Sequence, residues 1–106
     1  MSAAQRDKGA RAELEVAKVF QAAGFDCNRV PNSGGLRIKG DLYGDVPAHV
    51  EVKRAERLCI PEWWRQAQGE APEGVLPVLA FRQSRGEWLA AVPLPALVAL
   101  LARGAL

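Results

Sequence analysis

The chain has 106 residues, 49% of them hydrophobic, and a formal net charge of +2. That length supports one small sheet with a few helices and excludes two separate cores, so residues 1–106 read as a single domain. The mild basicity leaves nucleic acid open as a partner, while no apolar run reaches membrane-spanning length and the charged N-terminus does not read as a signal peptide.

In chain order, Ser2 with Gln5 has the spacing of a capping box, and Asp7 suits a later helix start equally well. Either start leads into a first helix that Gly24 ends. Ala10, Val16, Ala17 and Phe20 fall on one stripe of it at helical spacing, and Glu13 lies on the same stripe. An inward carboxylate is costly unless a cation or metal meets it, so Glu13 is a site residue, or it sits at the stripe's edge or pairs with an arginine. Residues 25–30 predict a first strand and Pro31-Asn32-Ser33-Gly34-Gly35 a turn or loop. Asp41-Leu42-Tyr43 begins a second strand, Gly44-Asp45-Val46-Pro47 turns it, and residues 49–54 form the third. This hairpin lets Asp41 meet Glu51 and Lys53 across the pair. Pro61 and Glu62 suit the start of a second helix running to about Glu70, before Pro72 and Gly74. Residues 76–81 predict a fourth strand covered on both faces, residues 88–92 a fifth, and the apolar run from Leu94 a short last helix. The order predicts an α/β fold, a central mixed five-stranded sheet flanked by helices.

Asp41, followed ten residues later by Glu51-Val52-Lys53, is the pattern that carries chemistry. Residues i and i+2 of a strand share a face, so Glu51 and Lys53 point one way while Val50 and Val52 pack the other way. Magnesium takes oxygen ligands, which Asp41 and Glu51 can supply, with Lys53 beside the water or the phosphate. Taken alone, a Glu-x-Lys triplet is common on exposed strands. Asp45 competes with Asp41 as the metal carboxylate, but its place in the predicted turn favours a turn former. Basic residues bracket the pattern: Arg6, Lys8 and Arg11 on the first helix, Arg29, Arg37 and Lys39 ahead of Asp41, and Arg54, Arg57 and Arg65 after Lys53. A surface that follows phosphates requires such flanks, and each residue singly also reads as solvated rim. Cys27 and Cys59 form no C-x-x-C pair, so two free, partly buried thiols in a reducing cytosol are expected. His49, the single histidine, leaves too few ligands for zinc and reads as a strand-edge residue.

Lys8-Gly9 with Glu13, Arg29-Val30-Pro31-Asn32-Ser33-Gly34, Gly40-Asp41, Glu51-Val52-Lys53 and Gln66-Ala67-Gln68-Gly69, in this order and spacing, resemble the archaeal-type Holliday junction resolvases of the PD-(D/E)xK nuclease superfamily. The resemblance runs from about Lys8 to Val92 and includes Pro77-Val78-Leu79-Ala80 and Gly86 to Trp88 in the final strands. Proline does not precede Asp41, where Gly40 stands, and Trp63 and Trp64 are not family features.

The resemblance implies a restriction-endonuclease-like fold and a magnesium-dependent endodeoxyribonuclease, with Mn2+ as a substitute. In it Asp41, Glu51 and Glu13 hold the metal, Lys53 orients or activates the attacking water, and Ser33 matches a loop serine near the scissile strand. DNA contacts are expected from Arg6, Lys8, Arg11, Arg29, Ser33, Arg37, Lys39, Arg54 and Gln66, with Gln68 close enough to compete for the last role. Symmetric cutting of a four-way DNA junction implies a two-fold homodimer. Leu58, Ile60, Trp63, Trp64 and the apolar tail after Leu94 are its interface candidates, each also readable as core. The implied setting is the cytoplasm of a prokaryotic cell, with phage encoding as one origin. The other readings are a same-fold nuclease acting on flaps, forks or duplex DNA, a DNA-binding module without catalysis, and an interaction module without nucleic acid.

Overall fold

The computed structural model describes residues 2–31 and 41–104. Helix α1 (Ala3–Ala22) begins at Ser2, whose hydroxyl accepts from the Gln5 amide at 3.2 Å while Gln5 Oε1 accepts from the Ser2 amide at 3.0 Å. Two otherwise unpaired donors are satisfied at once, which favours this start over Asp7. Past the helix end Gly24 takes φ +98°, a region L residues rarely adopt, and the Phe25 amide donates to the Phe20 carbonyl at 3.1 Å.

Strands β1 (Cys27–Arg29) and β2 (Leu42–Gly44) pair antiparallel, Cys27 opposite Gly44. Strand β3 (His49–Arg54) runs parallel to β4 (Pro77–Arg82) through the crossover helix α2 (Ile60–Glu70). Strand β5 (Leu89–Ala91) returns antiparallel to β4, and α3 (Leu94–Ala102) follows. The five strands therefore form two ladders, β1-β2 and the mixed β3-β4-β5, rather than the single five-stranded sheet expected. The reason lies at Asp41. Its amide donates to the Val50 carbonyl at 3.4 Å, but the next donor on that edge of β3, the Val52 amide, is taken by the Asp41 side chain at 2.7 Å. A carboxylate stands where a continuing backbone ladder would supply the partner.

Val50 and Val52 face α1 and pack with Ala12, Val16 and Ala80, as the period-two reading predicts. Glu51 and Leu79 face the other way, toward α2, whose Ala67 is buried. Burying side chains such as Val16, Val50 and Leu79 stabilises the fold by about 1.5–3 kcal/mol each. Glu15 ties α1 to the sheet: its Oε1 accepts from Trp88 Nε1 at 3.0 Å and lies 3.2 Å from Arg82 Nη2, and the Arg82 guanidinium sits over the Trp88 ring. Cys27 and Cys59 are both free thiols, the first buried. No helix among the described residues is long and apolar enough to cross a membrane.

Candidate functional site

One edge of β3 is paired with β4, and the Val50 carbonyl and Val52 amide point from the other. Asp41 occupies that second edge and is pinned from both sides. Its carbonyl accepts from the Val30 amide at 2.9 Å, its amide donates to Val50, and its Oδ2 accepts from Val52. The geometry leaves Oδ1 for other company.

That company includes Glu13. The Glu13 carboxyl hydrogen-bonds with Asp41, and its Oε1 also accepts from Arg29 Nε at 2.8 Å. Burial, then the negative charge of Asp41, pushes the Glu13 carboxyl up to about 7, against the pull of Arg29. Glu13 thus turns toward Asp41 and also pairs with an arginine.

On the α2 face of β3, Glu51 is 1% exposed. Burial comes first, followed by a hydrogen bond to Glu70 and the charges of Asp41 and Glu70, and these push Glu51 up to about 9 while Lys53 draws it back. Glu70, at the end of α2, is held below the usual carboxylate range by the hydrogen bond from Glu51. The two acids titrate as a pair, Glu51 pushed up and Glu70 held down. His49 Nε2 lies 3.2 Å from Glu51 Oε1, and ligand atoms of His49, Glu51 and Glu70 all fall within 4.8 Å of one another. Sequence reasoning missed this trio. His49 opens the outer strand of its ladder, yet it is buried against Glu51. The same i, i+2 alternation that paired Glu51 with Lys53 points to it. For Glu70 the signal is its i+4 spacing from Gln66, whose Nε2 donates to it at 3.3 Å.

Lys53 is half-buried on the Glu51 face and forms no ion pair among the described residues. Lys8 and Arg54 line a cavity of about 570 Å3 between α1 and the end of β3, with Glu13 on its wall. Arg6 and Arg11 lie exposed on α1, and Gln66 and Gln68 are exposed on α2. Ser33, Arg37 and Lys39 lie outside the described residues. Asp45, expected to form a turn, instead ties the end of the β1-β2 ladder, its Oδ1 accepting from the Asp26 amide at 2.8 Å while its own amide donates to the Asp26 carbonyl at 2.9 Å.

An acid entering one strand, an acid-x-lysine on the strand beside it and a further acid from the preceding helix are the marks of a PD-(D/E)xK nuclease. The chain belongs to the family described as "Phage putative PDDEXK endonuclease", whose model matches residues 4–104. Protein D14 of Escherichia phage T5 is 28% identical to it over 116 aligned positions, covering 87% of this chain and 72% of that protein. No solved structure matches the chain.

Proposed function

We propose that this nuclease is a magnesium-dependent, structure-selective DNA endonuclease that resolves four-way junctions as a two-fold homodimer in the host cytoplasm. The observation that carries the reading is the fastening of Asp41 to the Val52 amide, which holds one acid between Glu13 and Glu51 on the strand that also bears Lys53. The chain carries all four residues, Glu13, Asp41, Glu51 and Lys53, which favours an enzyme over a binding module.

Carboxylates that gather around β3 suit a divalent cation: ligand atoms of His49, Glu51 and Glu70 lie within 4.8 Å of one another, and Asp41 acts on Glu51 through its charge. Glu13 and Glu51 resist losing their protons because burial and neighbouring acids outweigh the charges of Arg29 and Lys53, a balance that a bound cation would reverse. Carboxylate oxygens suit Mg2+, and Mn2+ accepts the same ligands. Asp41 and Glu51 would hold it, with Glu13 completing the acidic set. A bound divalent cation supplies Lewis acidity, acidifying a water and neutralising charge at the phosphate. Lys53 contributes a fixed positive charge beside the phosphate as negative charge gathers on its oxygens. Water adds in line at phosphorus and the opposite backbone P–O bond breaks.

The junction preference and the dimer rest on the likeness to the resolvases and on the apolar tail. No residue of α3 is buried, and Leu94, Val98 and Leu101 are exposed, as a two-fold partner surface would require. The test is a panel of labelled four-way junction, fork, flap and linear duplex, incubated with and without Mg2+. Selective, symmetric, Mg2+-dependent junction cutting is expected; equal cutting of linear duplex ends the resolvase reading in favour of a nuclease with another DNA target.

A further inference from the structure

We infer that the cavity between α1 and the end of β3 seats a backbone phosphate and sugar of the nucleic-acid strand, adjacent to the phosphate that is cut. This assignment rests on the nuclease reading and adds a subsite to it. The cavity measures about 570 Å3, which is within the usual range of ligand sites, and Glu13 on its wall joins it to the acids around Asp41.

Arg54 supplies the first argument. Its Nε is shielded from solvent and has no acceptor, and neither Arg54 nor Lys8 forms an ion pair among the described residues. A shielded N–H without an acceptor is unfavourable, and a phosphodiester entering the cavity would give the half-buried guanidinium an anion to pair with. Two acids stand on the wall: Glu13 is engaged by Arg29, and Glu56 is exposed, where solvent and salt screen its charge.

Gly9 supplies the second, independent argument. It lies inside the 20-residue helix α1, where glycine is among the least favourable residues. Nothing in the fold asks for it: its backbone is helical, and a Cβ there would meet no atom within 4 Å. It lines the cavity beside Lys8. A position that gives up helix stability to leave open space beside two cations suits the close approach of another molecule's backbone.

The test is binding of a labelled four-way junction and of a linear duplex in EDTA, measured across a salt series, with melting temperatures recorded for every variant. Lys8→Gln and Arg54→Gln should each weaken binding about ten-fold and make the log–log salt slope shallower by about 0.9, the loss of one phosphate contact. Gly9→Ala should weaken binding while raising the melting temperature, two opposed changes that a purely structural glycine would not give. Lys18→Gln, an exposed lysine elsewhere on α1, should match wild type. Wild-type affinity and slope in Lys8→Gln, Arg54→Gln and Gly9→Ala would overturn the subsite while leaving the nuclease reading intact. A wild-type protein that binds neither DNA at any salt overturns the nuclease reading, and the subsite with it.

Discussion

Asp41 Oδ2 holds the Val52 amide at 2.7 Å, so an acid from one ladder is fastened to the backbone of the strand that carries Glu51 and Lys53. Its charge and its hydrogen bond can therefore be separated by substitution.

Asp41→Asn keeps an oxygen for the Val52 amide and removes the charge. It is expected to fold normally, to bind junctions in a gel shift and to abolish cutting in Mg2+. Asp41→Ala also orphans the Val52 amide and should cost a further ~1–3 kcal/mol in a denaturant titration. Glu51→Gln should likewise stop cutting without loss of binding. Wild-type rates in both Asp41→Asn and Glu51→Gln would place the metal elsewhere.

Metal binding should release a proton. With Glu51 pushed up to about 9, its carboxyl is protonated at neutral pH in the metal-free protein, and a cation must displace that proton. Calorimetric titration with Mg2+ in two buffers of different ionisation enthalpy should give different heats, and Glu51→Gln should abolish most of the difference. Equal heats for the wild type would remove Glu51 from the ligand set.

The metal-free protein should lose stability as pH rises. Glu13 and Glu51 are both raised above their ordinary 4.5, to about 7 and about 9, so the fold favours their protonated forms. Their contribution is complete below about 4.5 and is lost as pH climbs through each folded value. Melting temperatures without metal should fall across that window. Glu13→Gln should flatten the early part and Glu51→Gln the later part, and saturating Mg2+ should oppose the whole decline.

Two glycines should respond to alanine with opposite signs. Gly44 has φ +142°, and a Cβ there would run into the Asp26 carbonyl, so Gly44→Ala should cost about 3 kcal/mol and disturb the β1-β2 pairing. Gly69 sits in α2 with open space around it, and Gly69→Ala should stabilise by about 0.5–1 kcal/mol. Denaturant midpoints of the two variants decide this.

The proposed dimer is tested by Val98→Glu with Leu101→Glu. Both side chains are exposed in the single chain, so the double variant should keep the unfolding transition of a folded monomer while sedimenting at half the wild-type mass. Wild-type protein sedimenting as a monomer would remove the two-fold arrangement.

Local pattern carried much of this in the sequence. Alternation in His49–Arg54 set Val50 and Val52 on the face opposite Glu51 and Lys53, and proline and glycine punctuation bounded α2 closely. The Asp41–Val52 hydrogen bond was not legible, because strand patterns assume backbone partners and a side chain took that place. Nor was the meeting of Glu70 with Glu51, since the approach of the α2 end to β3 is set by the crossover rather than by any repeat within either element. The acid-x-lysine triplet marked the strand; its buried histidine and the Glu70 that hydrogen-bonds Glu51 needed the packed molecule.

Asp41 has a consequence beyond chemistry. Open sheet edges invite pairing with other chains and so aggregation, and β3 is the outer strand of its ladder, with valines at alternate positions. The carboxylate that occupies the Val52 amide also sets an acidic side chain along this rim, where an incoming strand would have to displace it. The residue proposed for cleavage would then also guard against edge-to-edge recruitment, and Asp41→Ala should leave a protein that aggregates more readily as well as one that does not cut.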